Sequence, residues 1–212
     1  MRKYRNDATT EPRIEFGIEL AEGLRLFPET EEHAAVVDQA TDALDNVAME
    51  RRKLKKPRLK ARVKLKFEGY LTDTMLRQVS NEAQSADGGR RGPVFDTLYP
   101  DGLSAAVDPA GTQQLPATQA VFSRMMLSNH PNLTTFKQKW EPAFKDRIAA
   151  LTAAIDAYTA INQQDANLFA IEMAARDDHG LLVDKIAGLV RAAFPNDRNK
   201  QDIIFPAPPT RK

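Results

Sequence analysis

Cysteine is missing from this 212-residue chain altogether, so neither a disulfide framework nor a thiolate metal site can hold the fold together. Packing must do that work, which suits a reducing compartment. No stretch approaches the roughly 18 consecutive apolar residues that span a bilayer. The opening MRKYRNDATT is charged where a secretory signal would carry an apolar segment. The expectation is a protein without a transmembrane segment, working in the cytoplasm. Histidine is scarce, with three residues. A carboxylate-bridged di-iron bundle needs Glu-x-x-His on two of its helices, yet the residues three places before His33, His130 and His179 are Thr30, Leu127 and Arg176. No metal or cofactor is expected.

What the chain does contain is the composition of an ordinary domain, 42% hydrophobic and 28% charged, long enough to bury a real core. Its net charge of +1 conceals a local asymmetry. The segment RRKLKKPRLKARVKLK, residues 51–66, holds ten of the thirty basic residues and no acid, leaving twenty bases against twenty-nine acids elsewhere. The ten are Arg51, Arg52, Lys53, Lys55, Lys56, Arg58, Lys60, Arg62, Lys64 and Lys66.

The periodicity is helical wherever it is strong. His33, Val37, Ala40, Leu44, Val47, Arg51 and Leu54 step by threes and fours, the stripe of a first helix over about 30–56. Thr30 and the acids around it suit its N-terminus. Pro57 should turn or kink the chain. Leu59, Val63, Phe67, Leu71, Met75 and Val79 then predict the apolar face of a second helix, ending near 84. Glycines and prolines gather in 85–116, a crossover pinned by Val94, Phe95, Leu98 and Tyr99. A helix over about 117–129 follows, with Val121, Met125 and Leu127 as its core residues. Leu133 to Ile161 and Leu168 to Ala193 show the clearest periodicity. They predict an antiparallel hairpin whose second helix is capped by Asp165, with Pro142 as a kink in the first. Residues 1–29 form an arm that fits either a strand or a glycine-interrupted helix, and 195–212 a proline-rich extended tail. The fold class is therefore all-α, a four-helix-bundle-like arrangement of long helical hairpins with a crossover loop and extended termini.

Function is sought first in the basic segment. If the chain folds back at Pro57, ten cations gather at one tip, where like charges within a Debye length of about 8 Å repel. The ordinary explanation is a solvated helix end; the density here points instead to an anionic counterpart. Nucleic acid would be held with strong salt dependence, but stacking aromatics are absent from the run, Phe67 and Tyr70 lying beyond it. Self-association fits the charge split better, with acids at 29–50 and at Asp165, Glu172, Asp177, Asp178 and Asp184 as counterparts. In the tail, Ile203, Ile204 and Phe205 are candidates to dock on the bundle or a neighbour, and 206–211 match the spacing read by SH3 grooves.

Three other patterns are weaker. Asp177, Asp178 and His179 point in different directions on a helix and have no nucleophile beside them. Gly88 to Gly92 lack the Walker pattern. His33 and His179 lie in apolar stripes, where a hydrogen-bonded core histidine is the ordinary case and a bundle enzyme or metal carrier the exceptional one. The sequence thus predicts a non-enzymatic structural or interaction protein, part of a larger assembly, using its basic patch and tails for a protein partner or another copy of itself. The alternative is a module for nucleic acid or another anionic surface through 51–66.

Overall fold

The amphipathic stripes condense into two very long helices rather than four. In a computed structural model, which describes residues 3–5 and 7–206, the α-helices are α1 (Thr10–Arg25), α2 (Ala34–Ala86), α3 (Pro93–Leu98), α4 (Ser104–Val107), α5 (Gln114–Leu127), α6 (Leu133–Ala193) and α7 (Arg198–Ile204). There is no strand among the described residues. The all-α class holds; the hairpins do not. α2 continues without a break past Pro57, and α6 past Pro142 and the polar stretch around Asp165. Both prolines are exposed, so each ring sits on the solvent side of its helix, where a proline is tolerated best. Asp165 sits inside α6 and spends its carboxylate on Arg51, at 3.1 Å, instead of on a cap.

The residues divide into two compact units, Met1–Lys55 with Gln163–Lys212, and Lys56–Asn162. In the first, α1, the N-terminal part of α2, the C-terminal part of α6 and α7 enclose Phe16, Leu20, Leu24, Val37, Val183, Ile186 and Val190. The undecided arm is therefore helical, and its glycines mark close approaches. A Cβ on Gly17 would lie within 2.8 Å of His179 Nε2 and nearer still to Thr41 Oγ1, and one on Gly23 would lie 2.6 Å from the backbone oxygen of Ile204. Gly17→Ala is accordingly expected to destabilise the protein. Overpacking of about 1–3 kcal/mol outweighs the roughly 1 kcal/mol an alanine gains in helix propensity, and a urea midpoint no lower than wild type would contradict it.

The tail is less extended than expected. Asp197 caps α7 by accepting from the Lys200 N–H at 3.1 Å, and the helix carries Ile204 into the core. Residues 207–212, with most of the SH3-like pattern, lie outside the described residues.

In the second unit, α3, α4 and α5 pack with the remaining lengths of α2 and α6 around Leu76, Val79, Phe95, Leu98, Tyr99, Met125 and Phe144. The stretch expected as a loop carries the short helices α3 and α4, and Val94, Phe95, Leu98 and Tyr99 within it are buried. Asp87, at the end of α2, accepts from the Val94 and Phe95 N–H groups and so starts α3. Tyr99 donates to the Leu76 carbonyl at 2.9 Å, satisfying a hydroxyl that is otherwise sealed in. Leu127, expected in the core, is exposed at the C-terminal end of α5. A smaller cluster joins Leu65 of α2 to Leu151 and Ala154 of α6.

Candidate functional site

The basic segment forms the middle of a continuous helix, not a tip. Pro57 does not fold α2 back, so the ten cations are strung along the helix and part of their charge is met within the chain. Arg51 is half-buried, bonding Asp165 and, at 3.0 Å, Glu172 while stacking on Phe169 at 4.5 Å. Arg52 pairs with Glu11, and Lys53 with Glu50. Lys64 bonds Glu68 at 2.5 Å, a buried carboxylate that Arg147 also holds at 2.8 Å. The Lys64 and Arg147 contacts overcome the burial of Glu68 and keep its pKa low. Arg58 is half-buried. Lys55, Lys56, Lys60, Arg62 and Lys66 are exposed and make no ion pair with any described residue.

Between these cations lies the main correction to the sequence reading. Leu59, Val63 and Phe67, expected in the core, are 49%, 65% and 51% exposed, and Tyr70 is 65% exposed. The buried face of α2 carries Leu65, Thr72, Leu76, Val79 and Ala83, on the other side. A second stripe therefore follows the outside of α2. Asp42, Asn46, Met49, Lys53, Lys56, Lys60, Val63, Phe67 and Tyr70 step alternately by four and three, and all nine are exposed. This is the repeat of about 3.5 residues by which one helix lies along another. Its N-terminal end is acidic, its middle basic and its far end apolar.

Other expected acids have occupations of their own. Glu172 is 4% exposed, accepts from Thr10, Arg51 and Arg176, and so cannot reach a neighbour. Asp184 pairs with Lys3 at 2.5 Å. Asp177 and Asp178 are exposed while His179 points inward. Ile204 and Phe205 are buried in the first unit's core, whereas Ile203 is exposed. Gly88 and Gly89 form a positive-φ turn beside Arg91, which is held over the Phe95 ring at 4.6 Å and near Asp96.

His179 is 1% exposed. Its Nδ1 accepts from the Tyr4 hydroxyl at 2.7 Å, and its Nε2–H faces Thr41 Oγ1 at 3.3 Å. Thr41 in turn donates to the Val37 carbonyl at 2.8 Å. The chain of bonds needs a neutral ring. Burial, with help from nearby Arg13, pushes the His179 pKa down to about 4. His33 is half-buried beside Glu32 at 3.8 Å. No group of three or more metal-ligating side chains occurs among the described residues, and no helix there is long and apolar enough to cross a membrane.

No protein-family model matches the chain, and no curated protein and no solved structure is significantly similar to it.

Proposed function

We propose that this is a non-enzymatic structural protein of a cytoplasmic assembly, and that copies of it associate through the outer stripe of α2. The observation that carries this reading is the exposure of Leu59, Val63, Phe67 and Tyr70 at helical spacing among cations that have no partner of their own. Four large apolar side chains on one exposed helix face mark a surface that is covered in the working state. The same helix supplies the counter-charge. An antiparallel pairing of two α2 helices centred near Lys53 sets Asp42 and Asp45 of one copy against Lys64 and Lys60 of the other. Such an interface is isologous and closes on itself.

The test is sedimentation velocity across salt concentration. A dimer is expected at low ionic strength, weakening as salt shortens the Debye length. Changing Lys56 and Lys60 to Gln should raise the dissociation constant about tenfold or more, and Phe67→Asp should abolish the dimer. Arg51 and Lys64 are left intact in these variants because they hold the buried carboxylates Glu172 and Glu68. A monomer at every salt concentration refutes self-association.

One observation favours a second reading. Phe67 and Tyr70 are exposed next to Lys60, Lys64 and Lys66, and aromatics beside cations are what single-stranded nucleic acid uses. Leu59 and Val63 have no role there, which is why we rank it second. A labelled oligonucleotide whose anisotropy is unchanged by the protein at low salt excludes it.

A further inference from the structure

Beside the outer stripe, within the second unit, lies a groove of about 440 Å³ whose parts differ in chemistry from end to end. One wall is an edge of α2. Arg62, Lys66, Gly69 and Asp73 step by four, three and four, so all four lie along that edge. The opposite wall is the segment from Val107 to Gly111 together with Gln114, at the start of α5. Leu65 and Tyr158 supply apolar surface between the walls, and Tyr70 stands beside it.

The cationic end is unengaged among the described residues, since Arg62 and Lys66 make no ion pair or hydrogen bond with any of them. The inner end is the reverse: built, buried and rich in acceptors. Gln114 is 2% exposed, and its amide nitrogen donates to the Gly69 carbonyl at 3.0 Å and to Asp73 Oδ1. Both amide hydrogens are thereby spent, leaving Oε1 as an acceptor. That oxygen has no partner among the described residues, yet it is not sealed from solvent. Gly69 makes the arrangement possible, since a Cβ there would lie 2.7 Å from Gln114 Oε1. Burial raises the pKa of Asp73, and its carboxylate together with Gln114 Oε1 offers this end only acceptors, which call for N–H donors.

A ligand for this groove presents N–H donors at one end, a flat apolar body in the middle and an anion at the other end. Lys66 and Asp73 are seven residues apart on the helix, a rise of about 10 Å. An aromatic amino acid does not fit the polarity, because its ammonium and carboxylate leave from one carbon. A nucleotide bearing an exocyclic amine does fit. We infer that the groove is a binding site for an amino-bearing nucleotide, adenylate or cytidylate, with its phosphate on Arg62 and Lys66, its ring against Tyr70 and Tyr158, and its amine donating to Asp73 and Gln114 Oε1. The nucleotide is either free or part of a single strand. The site shares Tyr70 with the outer stripe of α2 but takes none of the cations assigned to the dimer, Lys56 and Lys60, so titrations are run at a salt concentration where the protein is monomeric.

Isothermal titration of the full chain tests it, with AMP, CMP, IMP, UMP, adenosine and inorganic phosphate as probes. AMP and CMP should bind at least about tenfold more tightly than IMP and UMP, which present a carbonyl where the acceptors lie. Arg62→Gln with Lys66→Gln should weaken AMP by about tenfold or more while leaving adenosine unchanged. Tyr70→Ala should cost about tenfold for every nucleotide. All three positions are partnerless and Tyr70 is exposed, so the fold tolerates the changes; an unchanged urea midpoint verifies this. An adenylate hexamer that outcompetes AMP per nucleotide identifies the strand as the source, and equal competition identifies the free nucleotide. No saturable binding of AMP or CMP overturns the inference, as does equal binding of AMP and IMP.

Discussion

Replacing Glu172 with alanine should lower the stability of the protein by about 3–5 kcal/mol, the usual cost of removing one partner from a buried ion pair. Glu172 is 4% exposed and accepts from the Thr10 hydroxyl, from Arg51 at 3.0 Å and from Arg176 at 2.6 Å. Burial on its own would raise its pKa; the three hydrogen bonds more than reverse this and hold it below the usual carboxylate range. The alanine leaves Arg51 with Asp165 alone, and Arg176 with a threonine hydroxyl that has lost its own acceptor. Two half-buried guanidinium groups then share one carboxylate. Glu172→Gln keeps the shape and one acceptor, so its loss should be smaller. Urea titrations give the answer, with an unchanged slope showing that stability, not the unfolded state, has moved. A loss below about 1 kcal/mol for the alanine variant would mean that water already screens the cluster.

Glu172 also explains why the basic run was only partly legible. The buried positions of α2 repeat by fours and threes: Val37, Thr41, Leu44 and Ala48 near one end, and Leu65, Thr72, Leu76, Val79 and Ala83 near the other. Carried through the middle, the same register passes through Arg51, Lys55, Arg58 and Arg62. Along that register the helix is cationic, with Arg51 and Arg58 half-buried and Lys55 and Arg62 exposed, while the other side holds Leu59, Val63 and Phe67. A reading that follows apolar residues crosses there from one side of the helix to the other, and it places three exposed side chains in the core. Arg51 is readable only with Glu172 in view, 121 residues along the chain. The helical class, the burial of Val94, Phe95, Leu98 and Tyr99 and the core residues Val121 and Met125 needed only local spacing. The groove could not be read at all, because its second wall comes from 107–114, which local spacing identifies only as a crossover.

The exposed prolines belong to the same argument. Proline in a helix interior costs about 3 kcal/mol, a local rule that predicts a break at Pro57. Long stretches of buried surface on both sides of the residue outweigh that cost, and the ring sits on the solvent side. The charge is consequently displayed along a helix flank, where another helix can lie against it. A tip would offer no such length of contact, and the unpartnered Lys56 and Lys60 gain meaning from their alignment with Val63, Phe67 and Tyr70.

Stability should also fall by about 3 kcal/mol as pH drops from about 6.5 to about 4, through His179 alone. The sign follows from the folded pKa of about 4, set by burial and by Arg13, against the ordinary value of 6.5. Between these values the unfolded chain binds a proton that the folded chain refuses. The stabilisation is complete above 6.5, declines as pH falls below it and is gone near the folded pKa. The bonding explains the refusal. A protonated ring carries N–H on both nitrogens, so Nδ1 could no longer accept from Tyr4, and the new charge would face the Arg13 guanidinium, 4.7 Å from the Tyr4 ring. Burial raises the pKa of Tyr4 against the lowering effect of Arg13, with a smaller push from Asp184, so the phenol stays a donor throughout this range. Carboxylates with lowered pKa values, Glu68, Glu82 and Glu172, add their own losses at more acid pH. His179→Gln separates the two contributions: it is less stable than wild type at pH 7, but its urea midpoint should change little between pH 6.5 and 5, where that of wild type falls steadily. Parallel profiles for the two proteins across that interval would show that the buried imidazole takes up its proton without opening the fold.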